Sequence, residues 1–321
     1  MSSRTKTLYI IGNGFDIHHR IKSSYRDFCN WMYENNPAVV DQVNEIYGVC
    51  TEEWWSDFEN QLASLDAISY ATQIASENQP DLLSDHCDRM WNDAQIEVEY
   101  QLESVYSELR DCFHDWILQL GKPDIESKII LETENAIFIN FNYTKTLEEI
   151  YEVAPNKILH IHGCVDIDEE FILGHGECEE DLRELNRFDV PKPSECLSDE
   201  ELIDFYQEMA DNGPELHEQW AIDAAISGVA SQQKPVKRLM HQYALFFDSI
   251  KDVESIKVYG LSLSKVDMPY LEYFVRKFPS AKWEFSDYDD ENKKIIERFC
   301  QDNNLRSSNI IRLEDILINK R

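Results

Sequence analysis

Positive charge is scarce in this chain: 30 lysines and arginines stand against 62 aspartates and glutamates, for a net charge of −32. Such a surface repels a polyphosphate backbone, so nucleic acid is a disfavoured partner. Screening beyond about 8 Å still leaves room for a local basic patch. Long apolar runs are missing as well. None approaches the ~18–20 residues that span a bilayer, which predicts no membrane insertion. The first apolar run, Leu8–Ile11, is too short for a secretory signal. The eight cysteines contain no C-x-x-C pair and read as reduced, mostly buried thiols, so a cytoplasmic protein is expected. Neither G-x-x-x-x-G-K-[ST] nor G-x-S-x-G occurs, which excludes ATP hydrolysis by a P-loop and leaves no legible Ser–His–Asp order. Repeats and low-complexity tracts are also absent.

What remains supports an ordered α/β protein. A hydrophobic share of 43% in 321 residues supplies a genuine core, enough for one large domain or two ordinary ones. Short runs rich in Ile, Val, Phe and Tyr predict buried strands at Thr7–Ile11, Ala136–Phe141, Lys157–Ile161, Phe171–Leu173, Ile256–Tyr259 and Lys282–Phe285. Helical patterns separate most of them, which predicts a mostly parallel, Rossmann-like sheet. Two helical stretches interrupt it. In the first, Val98, Leu102, Val105, Leu109, Phe113, Trp116 and Ile117 form one stripe across Glu97–Leu120. The second, from about Glu179 to Ser231, is strongly acidic. The expected organisation is a nucleotide-binding domain from residues 1–22, 135–178 and 236–321, a helical insertion at 23–134, and an acidic insertion or lid at 179–235.

Glycine is rare, with ten residues, and its placement is therefore informative. Gly12, Gly14, Gly163, Gly174, Gly176 and Gly260 directly follow predicted strands, where open α/β sheets bind ligands. Gly12 and Gly14 are expected to turn backbone N–H groups toward a phosphate. The dinucleotide fingerprint would need a third glycine where Ile17 stands, which argues against a dehydrogenase-type loop. Asp16 would repel a phosphate; it either accepts hydrogen bonds from ribose hydroxyls or stabilises the following helix end. His18, His19, Arg20, Lys22 and Arg26 form one of the few cationic stretches and suit an anionic ligand. His160 and His162 share a strand face by period 2 and, with His175, form a weak metal signal, since no ordered set of carboxylate or cysteine ligands accompanies them. Ser264 to Asp267 before Pro269 fits a capping box, which leaves Ser262 unexplained. In "EEWWSDFENQL", Asp57 and Glu59 are either solvated or reach the crevice.

Taken together, "IIGNGFDIHHRIKSSYRDF", "WWSDFENQL", "INFNYTKTLEEIY", "HIHG", "FILGHG" and "VYGLSLSKVDMPYLEYF" resemble the AbiH family of bacterial phage-abortive-infection proteins. Leu261 departs from that family, which often has His at this turn. AbiH proteins are in turn distantly similar to the sirtuin-like NAD-binding fold. The resemblance implies that Gly12, Asn13 and Gly14 form a glycine loop for NAD phosphates, with Phe15 beside them. It implies that Asn142 is the asparagine of an "NYD"-like motif whose acid is replaced by Thr144. His162, followed by Gly163, matches a histidine acting at the ribose, and Gly260, Ser262 and Asp267 lie at the adenosine-side turn. The expected catalytic set is His162, Asn142 and Asp16, acting on NAD by hydrolysis of its nicotinamide–ribose bond, with no metal. Two other readings stay open: a nucleotide-sensing module of a defence complex, and a metal-dependent nuclease built on His160, His162 and His175. Expected partners are the nucleotide, a phage trigger or defence partner protein, and further copies of the chain as a homo-oligomer.

Overall fold

The computed structural model describes residues 7–79, 90–165, 171–187, 216–305 and 307–318. A six-stranded, wholly parallel sheet organises them: β1 Thr7–Ile11, β2 Ala136–Asn140, β3 Ile158–His160, β4 Ser255–Tyr259, β5 Lys282–Ser286 and β6 Ser308–Ile311. Their spatial order is β3-β2-β1-β4-β5-β6. The strand order reverses at β1, so the connections leave in opposite directions from its two sides and open a crevice there. The register is level, with Ile11 beside both Asn140 and Tyr259.

Parallel strands covered on both faces read as continuous apolar runs, and β1 is buried at every position. Leu8 and Ile10 face one core with Val258, Phe274, Phe285 and Phe299. Tyr9 and Ile11 face the other with Phe138, Leu147, Ile150 and Leu313. This is the Rossmann-like α/β architecture expected from the sequence.

The helices, in chain order, are α1 Asn13–His18, α2 Tyr25–Asn35, α3 Pro37–Tyr47, α4 Glu52–Ser56, α5 Phe58–Gln61, α6 Ala67–Glu77 and α7 Asp93–Leu118. After β2 come α8 Thr146–Tyr151, α9 Glu179–Leu185, α10 Leu216–Ala230, α11 Val236–Gln242, α12 Ala244–Ser249, α13 Met268–Lys277 and α14 Asp290–Asp302. The helices between β1 and β2 form their own core, in which Phe28, Trp55, Phe58 and Phe113 interlock. Every residue of the stripe from Val98 to Ile117 is buried along α7. Its neighbour α10 approaches so closely that a Cβ on Gly228 would lie 2.7 Å from Leu102 Cδ1. Ser24 opens α2 through a capping box with Asp27, as the polar start of "SSYRDF" allows.

Some expectations are corrected. Phe171–Leu173 is not a strand; only single contacts tie this segment down, such as the Ile172 N–H donating to the His162 carbonyl. Its apolar residues instead pack against the helical core. The sixth strand is β6, an edge strand whose first two residues are exposed, so it lacks the buried run that marks the others. The Ser264 capping box is not formed: α13 begins at Met268, and the Ser264 hydroxyl donates to the Asp267 carboxylate at 2.9 Å. The acidic stretch supplies α9 and α10, and its residues 188–215 lie outside the described residues.

Candidate functional site

A cleft of about 1020 Å³ opens over the carboxyl ends of β1, β2 and β4, at the reversal of strand order. Gly12, Asn13 and Gly14 line it opposite Gly260, Leu261 and Ser262. The glycines do not act as expected. The Gly12 N–H donates to the Tyr259 carbonyl at 2.9 Å, and the Gly14 N–H donates to the Gly260 carbonyl at 2.8 Å. The Phe15 N–H donates to Gly12. These groups therefore hold two strand tips together, and the reading of Gly12 and Gly14 as N–H donors to a phosphate is corrected. The glycines permit a backbone-to-backbone approach. Gly260 has φ +68°, and a Cβ there would fall 2.1 Å from the Phe15 nitrogen. Asn13 fixes the next turn: its Nδ2 donates to the Ser23 carbonyl and its Oδ1 accepts from the Ser23 hydroxyl.

The tip after β2 brings Asn142 to the same place. Its N–H donates to Asn140 Oδ1, and its Nδ2 donates to the Gly12 carbonyl at 3.1 Å. Asn142 Oδ1 is buried and has no partner in the protein. Asp16 lies beneath. Its two carboxylate oxygens accept from the hydroxyls of Thr144, at 2.5 Å, and Thr146, at 2.6 Å. Burial pushes its pKa up to about 6, against those hydrogen bonds. Asp16 also lies in the first turn of α1, where a carboxylate complements the helix end. The resemblance asks for an acid where Thr144 stands, and Asp16 brings one to hydrogen-bond distance of it.

The third tip carries His162, 3% exposed at the cleft floor, with Nε2 lacking any protein partner. Burial and the Lys234 ammonium hold its pKa well below the ordinary value, so the imidazole is neutral. Lys234 is itself buried and pairs with Glu59 Oε1 at 2.6 Å. Asp267 faces the same ammonium; burial raises it to about 6, Lys234 and Ser264 oppose the rise, and Glu59 adds to it. Burial, with the charges of Glu59 and Asp267 nearby, pushes the Tyr25 hydroxyl well above its ordinary pKa. The cleft thus holds a neutral imidazole, a carboxamide and two carboxylates sharing one ammonium.

The other candidates divide. Gly260, Ser262 and Asp267 line the cleft. Phe15 does not: it is fully buried and packs on His19 and Tyr151. Gly163, at φ +98°, shapes the turn that carries His162 and also lies outside the lining. His160 and His162 do not share a face, because β3 ends at His160. His160 turns to Glu148 at 2.9 Å, and the fully buried His175 bonds the Val229 carbonyl at 2.9 Å. The histidine trio expected for a nuclease is therefore dispersed. The cationic stretch is largely paired: Arg20 with Asp124, Arg26 with Glu52, and His18 with the Ser127 carbonyl and Glu314. His19 is a core residue, bonded to the Phe15 carbonyl and the Tyr151 hydroxyl. Lys234 was not singled out from the sequence, because nothing in "SQQKP" marks its burial against Glu59.

Among the described residues, no helix is long and apolar enough to cross a membrane. No significant match was found among curated proteins or among solved structures. The profile of a family described as "Bacteriophage abortive infection AbiH" matches residues 8–287.

Proposed function

The chain belongs to the bacteriophage abortive infection AbiH family, and from that premise we propose that it is a defence effector that binds NAD and hydrolyses its nicotinamide–ribose bond. One observation carries the reading: at the switch point of the sheet, Asn142 Oδ1 and His162 Nε2 have no protein partner and lie beside the charges of Glu59, Lys234 and Asp267. Buried polar atoms without partners are rare in folded proteins and favour a ligand that completes them.

In the reaction, the bond between C1′ of the ribose and the nicotinamide nitrogen breaks. Nicotinamide keeps the electron pair and departs neutral. The ribose passes through an oxocarbenium-like state, which carboxylates nearby stabilise. Glu59, paired with Lys234, and Asp267, which feels the same ammonium, supply that negative charge. Water then forms the new bond to C1′, and its proton passes to neutral His162. Asn142 orients the ribose hydroxyls or the water, and Asp16 holds the Asn142 loop through Thr144 and Thr146.

Purified wild type and His162→Ala are incubated with NAD, with and without phage components, and nicotinamide release is followed. Release by wild type alone supports the reading. Intact NAD in both samples under all conditions overturns hydrolysis. Saturable nucleotide binding by calorimetry then favours the sensing module.

A further inference from the structure

Glu148 of α8, His160 at the end of β3 and Cys164 in the turn beyond it converge outside the lining of the cleft. One ligand atom from each lies within 4.8 Å of the other two. From these three residues we infer a buried site for a divalent transition metal ion, of which zinc is the best match to the donors.

Four features of the trio support the inference. First, the donors combine one thiol, one imidazole and one carboxylate, each a common zinc ligand. A tetrahedral ion with bonds of about 2.0–2.3 Å needs donors about 3.5 Å apart, so small side-chain shifts close the set. Second, Glu148 Oε2 is buried and has no partner in the protein, while Oε1 already faces His160 Nε2 at 2.9 Å. One carboxylate oxygen, Nε2 and Sγ would make three protein donors and leave the fourth tetrahedral position to a water molecule. Third, the remaining ring nitrogen, His160 Nδ1, faces the Asn142 carbonyl at 3.3 Å. A backbone carbonyl accepting from Nδ1–H presents Nε2 to an ion, the arrangement usual for metal-bound histidine. Fourth, a thiolate, a carboxylate and a neutral imidazole balance the charge of a divalent ion, as a buried site requires.

Without the ion the same groups form a hydrogen-bonded chain. Burial opposes a charge on His160, but Cys164 and Glu148 favour it and carry the pKa up to about 10. Metal uptake would therefore displace protons. No ordered set of carboxylate and cysteine ligands is legible around the histidines in the sequence. Folding brings Glu148, from α8, to His160 and to the cysteine that follows it in the next turn. The ion would tie α8 to the turn bearing His162 and, through Nδ1, to the backbone of Asn142.

Zinc is measured in purified full-length protein and in Cys164→Ser; the wild type is then stripped with a chelator and titrated with Co²⁺. About one equivalent of zinc, reduced at least tenfold in Cys164→Ser, is expected. Cobalt should give the visible bands of a four-coordinate ion and a near-ultraviolet thiolate charge-transfer band, absent from Cys164→Ser. Zinc-free wild type whose Co²⁺ spectrum stays that of the hydrated ion, with native near-ultraviolet circular dichroism, overturns the site. A charge-transfer band that persists in Cys164→Ser overturns it as well, since the thiolate would then come from another cysteine. None of these readouts involves NAD.

Discussion

Lys234 Nζ lies 2.6 Å from Glu59 Oε1, which joins the loop between α10 and α11 to the short helix α5 in the helical layer. Lys234 is 6% exposed, so the pair is a structural tie and also the charged centre of the cleft. Taking the ammonium out of water is costly, and the contact offsets that cost only while both partners are present.

Removing either partner alone is expected to destabilise the fold by about 3–5 kcal/mol, because a buried charge is stranded. Glu59→Ala and Lys234→Met therefore each lower the urea midpoint. The double substitution costs less than the sum of the two. Additive losses in such a cycle would mean that the pair is not coupled.

Gly260 predicts a second outcome. Gly260→Ala drives a Cβ to 2.1 Å from the Phe15 nitrogen and 2.6 Å from the Gly14 carbonyl carbon at φ +68°, and both contacts are backbone. A loss of roughly 3 kcal/mol or more, or failure to fold, is expected. Gly48→Ala isolates the dihedral cost: φ is +76° and ψ −177°, a region almost reserved for glycine, with nothing within 4 Å of the added carbon, so about 1–3 kcal/mol is expected. Gly121→Ala, also in open space, should be close to neutral. Thermal unfolding of the three variants ranks them directly.

The two carboxyls that burial raises to about 6, Asp16 and Asp267, each add a pH-dependent share to stability. Between pH 4 and 6 each of these two carboxyls binds more protons in the folded state than in the unfolded chain, where aspartate titrates near 3.8. Their contribution to stability is thus greatest below that window and falls as pH rises through it, by up to about 3 kcal/mol for each group, while His19 and His162, which burial keeps neutral, contribute in the opposite sense. The groups facing Asp267 are Lys234, Glu59, Tyr25, Tyr143 and Tyr270. Asp267→Asn, which keeps a carbonyl acceptor for Ser264, should flatten the profile by one group's share. Denaturant unfolding at pH 4, 5, 6 and 7 measures it, and an unchanged slope in Asp267→Asn would place the titration elsewhere.

The strands at the middle of the sheet were legible because burial on both faces leaves a nearly continuous apolar signature, as in β1 and β2. The edge strand β6 carries none, since Ser308 and Asn309 are exposed. Periodicity located α7 to within a few residues. At the site, residue type and the position after a strand singled out Asn142 and His162. The same logic misread Gly12 and Gly14, because a glycine's freedom serves a ligand and a neighbouring backbone equally well. Lys234 was illegible for a different reason. Its role depends on Glu59 and Asp267, contributed by distant segments, and no local pattern records such a pairing.

His162 and Asn142 make the last prediction, which separates chemistry from binding. If His162 takes the proton of the attacking water, His162→Ala lowers kcat for NAD hydrolysis by about 10²–10⁴. The calorimetric affinity for NAD should stay within a few-fold, because the interaction is made in the transition state. Asn142→Ala should behave differently. Its Nδ2 tethers the β2 tip to the Gly12 carbonyl, so both affinity and kcat fall and the urea midpoint drops with them. His162→Ala that loses affinity and rate in equal proportion would identify the ring as a binding group, and the proton would have to pass to Asp267 instead. A pH–rate profile distinguishes that case: a limb near pH 6 that survives in His162→Ala and vanishes in Asp267→Asn assigns the base to the carboxylate.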